Sequence, residues 1–213
     1  MLDPPVADHG LRWFIPLSGN FTDPKITFFI IFSKKLRSVK KEIENRLLLL
    51  ARETDVIFTE LQSFEDDFLR KTGRGWSIIQ VLSHLNMSES IALEYMKKKM
   101  KAGSEMSKVN VVNSLRMWVT RGFLQTGLKW RAPAYIANPN GEYALGEIKS
   151  TWETTRSNIR KYVEDYPDDL LNRAVYKHPM AGRLSLLQAV DSLIYHQRHH
   201  VHQINRIKKE LQR

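Results

Sequence analysis

Apolar residues recur with helical spacing along most of the chain from Leu36 onward. Leu36, Val39, Ile43, Leu47, Leu50, Ile57, Leu61 and Phe64 follow one another at steps of three or four, and Thr54 bridges the one longer step. At about 100° per residue they fall on a single stripe, which predicts a long amphipathic helix. Thr54 is its one polar interruption and is expected to be a tolerated small residue.

A second helix is predicted to open at "GWSIIQVLSHL". Ser77 followed three residues later by Gln80 is a capping box, in which each side chain meets a backbone amide that the first turn leaves unpaired. Val81, Leu85, Ile91, Ala92 and Tyr95 form its apolar face, and the helix runs to about Met100, where "KAGSEMSK" closes it. The middle of the chain is less periodic. "VVNSLRMWVTRGFLQ" reads as a short helix, and Pro133, Pro139 and Gly141 mark "RAPAYIANPNGEY" as loop.

A third long helix carries Leu145, Ile148, Trp152, Ile159, Tyr162 and Val163 on one face and stops before Pro167. The last begins with a repeat of the capping box, Ser185 and Gln188, and buries Leu186, Ala189, Val190, Leu193, Ile204 and Ile207. No stretch alternates convincingly with period two. The expected fold class is therefore all-α, an up-down four-helix bundle over residues 34–213. Residues 1–33 lack a sustained period and are expected to be an irregular leader.

Composition narrows the chemistry. The 213 residues contain no cysteine, which removes disulfides, thiolate-held zinc and a cysteine nucleophile together; a metal would need His, Asp or Glu ligands. The 33 Lys and Arg against 23 acidic residues give a formal charge of +10. These cations gather at Lys34–Lys41, Lys97–Lys101 and Arg206–Lys209, and the latter two clusters suit helix C-termini. No nucleic-acid motif accompanies them. The longest apolar run, "ITFFIIF" at Ile26–Phe32, is about a third of the ~20 residues a membrane span requires. Neither nucleic acid nor membrane is an expected partner.

Four of the seven histidines lie within "YHQRHHVHQ", Tyr195–Gln203. Helical phase sorts them. His196 and His200 fall on the stripe of Ala189, Leu193 and Ile204, whereas His199 points about 100° away from His200 and His202 lies nearly opposite, so these two are expected to face solvent. An i, i+4 histidine pair presents two imidazoles to one side of a helix, a common way to hold a metal and also a common feature of a hydrogen-bonded core. His84 on the second helix shares the phase of Val81, Ser88, Ile91 and Tyr95, so a third ring is expected to point inward. Three buried imidazoles each need a donor and an acceptor satisfied, and a divalent ion bound by three neutral rings meets that need while leaving a coordination position open. His9 and His178 receive no role. Glu89, at the edge of the second helix's apolar face, is expected to be solvated; Trp76 should pack the bundle end and Trp152 the core.

In their order along the chain, "GWSIIQVLSHL", "HPMAGRLSLLQ" and "HQRHHVHQI" resemble the DinB-like superfamily of four-helix proteins over roughly Leu36–Leu211. The resemblance implies a divalent metal ion, zinc or nickel, held by His84, His196 and His200. It also implies a cytoplasmic protein, often a homodimer, whose substrates are small molecules and include low-molecular-weight thiols. The function expected is metal-dependent activation of a thiol or of water, as in a transferase or hydrolase. Two alternatives remain at this level: a bundle that binds metal without turnover, and a basic surface that binds nucleic acid or an anionic membrane.

Overall fold

The computed structural model describes the backbone of residues 24–73, 75–125 and 136–212, and the side chains of 36–73, 75–122 and 136–212. The chain divides into two compact units, Met1–Lys35 and Leu36–Arg213. Of the first, the helical backbone from Pro24 is described; the second contains everything that follows.

Six α-helices are present among the described residues: α1 (Pro24–Leu61), α2 (Asp66–Arg70), α3 (Ile78–Met100), α4 (Val111–Gln125), α5 (Leu145–Glu164) and α6 (Leu186–Leu211). Helix α1 begins at Pro24, so residues 24–33, expected to be irregular, are helical. It ends at Leu61, and Phe64 instead stacks on Phe68 beyond it, ring centroids 4.9 Å apart. Both capping boxes form. The Gln80 amide donates to Ser77 Oγ at 3.1 Å and the Ser77 amide to Gln80 Oε1 at 2.9 Å; at α6 the Gln188 and Ser185 pair does the same at 3.4 and 3.1 Å. Helix α4 occupies the stretch read as a short helix. Ile91 and Tyr95, expected on the buried face of α3, are each 39% exposed; Ala92 is buried as expected, and Leu93 and Met96 are buried with it.

A short antiparallel hairpin departs from the all-α expectation: β1 (Tyr176–His178) pairs with β2 (Gly182–Leu184), with His178 opposite Gly182. Strands of three residues are too short to show a period of two. Gly182 takes φ of 78°, a left-handed conformation that costs glycine least.

The long helices bury two apolar clusters. One gathers Ile43, Leu50, Met96, Ile159, Tyr166, Val190 and Ile194 among others; the second gathers Phe58, Leu61, Ile78, Leu82, Leu85, Trp152 and Ile204. Between them each long helix contributes a residue to one polar network: Thr54 of α1, Glu89 of α3, Arg156 of α5 and Gln197 of α6. These four touch. Arg156 binds the Glu89 carboxylate through Nε and through Nη2 at 2.7 Å, and the same Nη2 donates to Gln197 Oε1 at 3.0 Å. Thr54 Oγ1 lies 2.7 Å from Gln197 Oε1 and 2.8 Å from the Leu50 carbonyl oxygen. Trp152 Nε1 donates to Glu89 at 3.0 Å. Glu89 is 1% exposed, which corrects its expected place in solvent; burial is tolerated because both oxygens are paired. Thr54 is likewise more than a tolerated small residue.

Candidate metal centre

His84 lies on α3 between Leu82 and Leu85, and His196 and His200 lie one turn apart on α6. The fold brings together the three rings that helical phase selects. Their nearest ring nitrogens all lie within 4.8 Å of one another, and no other group of three or more such side chains converges in this way among the described residues.

What each ring does on its far side orients it. His84 Nδ1 sits 3.2 Å from the Ile136 carbonyl oxygen, which can only accept, so Nδ1 carries the proton and Nε2 is a lone pair. His200 Nδ1 likewise donates to Gln203 Oε1 at 2.8 Å. Both bare Nε2 atoms approach Nε2 of His196, at 3.3 and 3.1 Å. His196 can place at most one proton between two acceptors. Three nitrogens therefore converge with too few protons among them, which is the donor set a cation completes. Nitrogens bound about 2.0–2.1 Å from a tetrahedral ion lie about 3.3 Å apart, and the two Nε2 separations are of that size.

Electrostatics point the same way. Burial lowers the pKa of all three rings. For His84 the Ile136 carbonyl opposes that effect and the nearby His199 adds to it. His200 is pushed down to about 3 by burial and then by His84 and His199. His196 lies well below the ordinary value through burial, followed by the neighbouring His200 and His84. Neutral imidazole is the form that ligates.

Trp76 is nearer to the site than its expected place at the bundle end suggests. Its ring lies 4.9 Å from that of His84 and 6.5 Å, nearly parallel, from that of His200. His202 is exposed, as its phase predicts, but His199, also expected in solvent, is half-buried because its ring packs 5.1 Å from that of His200.

The sequence model of the DinB superfamily matches residues 49–204. The chain belongs to the DinB superfamily. The match spans α3 and most of α6, and with them all three histidines. The uncharacterised protein YuaE of Bacillus subtilis (strain 168) is 21% identical over 158 residues, covering 73% of this chain and 93% of YuaE. No solved structure matches the chain significantly. Among the described residues no helix of this DinB protein is long and apolar enough to cross a membrane.

Phase in the sequence did not reveal the far-side partners. Gln203 is three residues beyond His200 and so on its side of the helix, a signal that was legible in principle. The Ile136 carbonyl comes from a loop 52 residues away in sequence from His84, and nothing in its side chain announces a backbone role.

Proposed function

We propose that this DinB protein holds one divalent ion, zinc or nickel, through Nε2 of His84, His196 and His200, and that it acts on a small electrophile with a low-molecular-weight thiol or water as nucleophile. The observation that carries this reading is the convergence of three imidazole nitrogens that share too few protons. An ion held there is a Lewis acid with room for an exogenous ligand, and it lowers the pKa of a bound water or thiol toward neutrality.

The protein's own residues prepare that position. The Ile136 carbonyl and Gln203 fix the tautomers and raise the basicity of the ligating rings. Trp76 covers the His84 and His200 rings on one side. A thiol nucleophile would arrive with the substrate, because the chain has no cysteine. We place the protein in the cytoplasm, where small thiols stay reduced, and assign its four long helices to an up-down bundle.

Partners follow from one exposed helix face. Val111, Val112, Leu115, Trp118 and Val119 of α4 are 84, 54, 61, 70 and 58% exposed, while Asn113, Met117 and Thr120 on the other side are buried. Such a patch, roughly several hundred Å², is at the upper end for a monomer. Two copies meeting through it would bury about the 1,000 Å² of a specific interface, so a homodimer is the partner we assign to it.

A second reading, metal binding without turnover, draws support from Glu89. Its carboxylate is committed to Arg156 and Trp152, which leaves it no part in proton transfer at the three rings. A panel of electrophiles with several thiols, run with holo protein, apo protein and His200→Ala, separates the two. Metal-dependent turnover lost in His200→Ala supports catalysis. Equal rates in holo and apo protein, with metal bound and fold intact, decide for the non-catalytic reading.

A further inference from the structure

Helices α1 and α5 meet through Phe58 and Trp152, whose rings stand edge to face with centroids 5.7 Å apart. At that contact the two helices line a cavity of about 290 Å³, near the lower end of the range for small-molecule sites. Ala51, Phe58 and Trp152 supply apolar wall, and Thr54 and Arg156 bring two members of the polar network to the same space.

That network has more donors than acceptors. The Glu89 carboxylate accepts from Arg156 Nε and Nη2 and from Trp152, and Gln197 Oε1 accepts from Thr54 Oγ1 and the same Nη2. Arg156 Nη1 and Gln197 Nε2 are withdrawn from solvent and have no hydrogen-bond partner. An unmet donor is most costly when it belongs to a charged group. Arg156 lines the cavity, so an acceptor seated against its guanidinium relieves that cost.

The other charged residues of the cavity sort by depth. Asp55, Glu153 and Arg160 are exposed at its mouth, whereas Lys149 is half-buried. Glu89 balances the charge of Arg156, and Lys149 leaves the interior positive. We propose that this cavity binds a small organic carboxylate with an apolar body. The acid group meets Arg156 and Lys149, both charge-assisted donors, and the body packs on Ala51, Phe58 and Trp152. An inorganic anion would gain nothing from those three walls. None of the three converging histidines lines the cavity, so the site stands apart from the metal reading.

Phenylacetate is the probe and phenylacetamide, of the same shape without the charge, its control. Each is titrated by calorimetry into the full chain, as purified and after chelation. Phenylacetate should saturate at one equivalent and bind at least about tenfold more tightly than the amide, the gain expected of hydrogen bonds to a charged acceptor. In proton–nitrogen correlation spectra the Trp152 indole and Arg156 Nε signals should shift as it binds. Ala51→Leu, which fills the cavity from α1, should abolish binding while the melting temperature shows the fold kept. Equal affinity for acid and amide overturns the proposal, as does no binding at millimolar phenylacetate. Shifts confined to residues away from Trp152 and Arg156 overturn it even if Ala51→Leu does not fold. Binding that disappears on chelation would place the carboxylate on a metal ion and likewise overturn it.

Discussion

Glu89 of α3, buried, and Arg156 of α5, 15% exposed, form an ion pair that closes the polar layer between the two apolar clusters of the core. Removing the carboxylate leaves the guanidinium charged and largely withdrawn from water. Glu89→Ala should therefore cost about 3–5 kcal/mol of stability, measured as a lower midpoint in urea denaturation. A solvated glutamate at that position would give a loss within about 0.5 kcal/mol, and such a result would contradict the layer as described.

Trp76 lies against the rings of His84 and His200, so its fluorescence should report on the site. Titration with Ni²⁺ should quench tryptophan emission and saturate at one equivalent. In Trp76→Phe most of that quenching should vanish while metal affinity is kept. Full quenching in the variant would place another tryptophan nearer the ion.

Acid should destabilise the metal-free protein earlier than its carboxylates alone would. His178 and His200 have folded pKa values of about 4 and about 3 against 6.5, so below 6.5 the unfolded chain takes up protons that the folded chain refuses. Their contribution is complete above pH 6.5 and is lost as pH falls toward 4 and 3, by roughly 1 kcal/mol per histidine for each pH unit. Melting temperature of chelated protein should fall clearly between pH 6.5 and 5. A flat profile over that interval would show that these rings are solvated.

Periodicity made the mostly helical fold and the convergence of His84, His196 and His200 legible because burial on a helix repeats every three to four residues. Leu145, Ile148, Trp152, Ile159, Tyr162 and Val163 are all buried, as spacing alone predicts. The same logic misread Glu89 and Thr54, since a polar residue on an apolar stripe shows only that it is polar; its partner sits on another helix. Arg156 and Gln197 are 67 and 143 residues distant from Glu89 and Thr54 respectively. The hairpin escaped because its strands are short, and with it escaped the setting of His178. Phase predicted too buried a face at Ile91 and Tyr95 because α3 turns its core side toward Ala92, Leu93 and Met96.

The α4 face gives a prediction about assembly. If two copies meet through Leu115, Trp118 and Val119, then Trp118→Asp should shift the protein to monomer in sedimentation at micromolar concentration. Its fold should persist, because the side chain is 70% exposed. A wild-type protein that is already monomeric at high concentration would contradict the assignment.

Metal stoichiometry and affinity, measured by calorimetry on chelated protein and a set of single histidine variants, test the central claim most directly. Wild type should bind one Zn²⁺ or Ni²⁺ per chain at pH 7.5. His84→Ala, His196→Ala and His200→Ala should each weaken binding by at least about tenfold, while the exposed His202→Ala should bind as wild type does. Wild-type protein that binds no divalent ion, or losses that are equal in His202→Ala and the other three, would contradict the site.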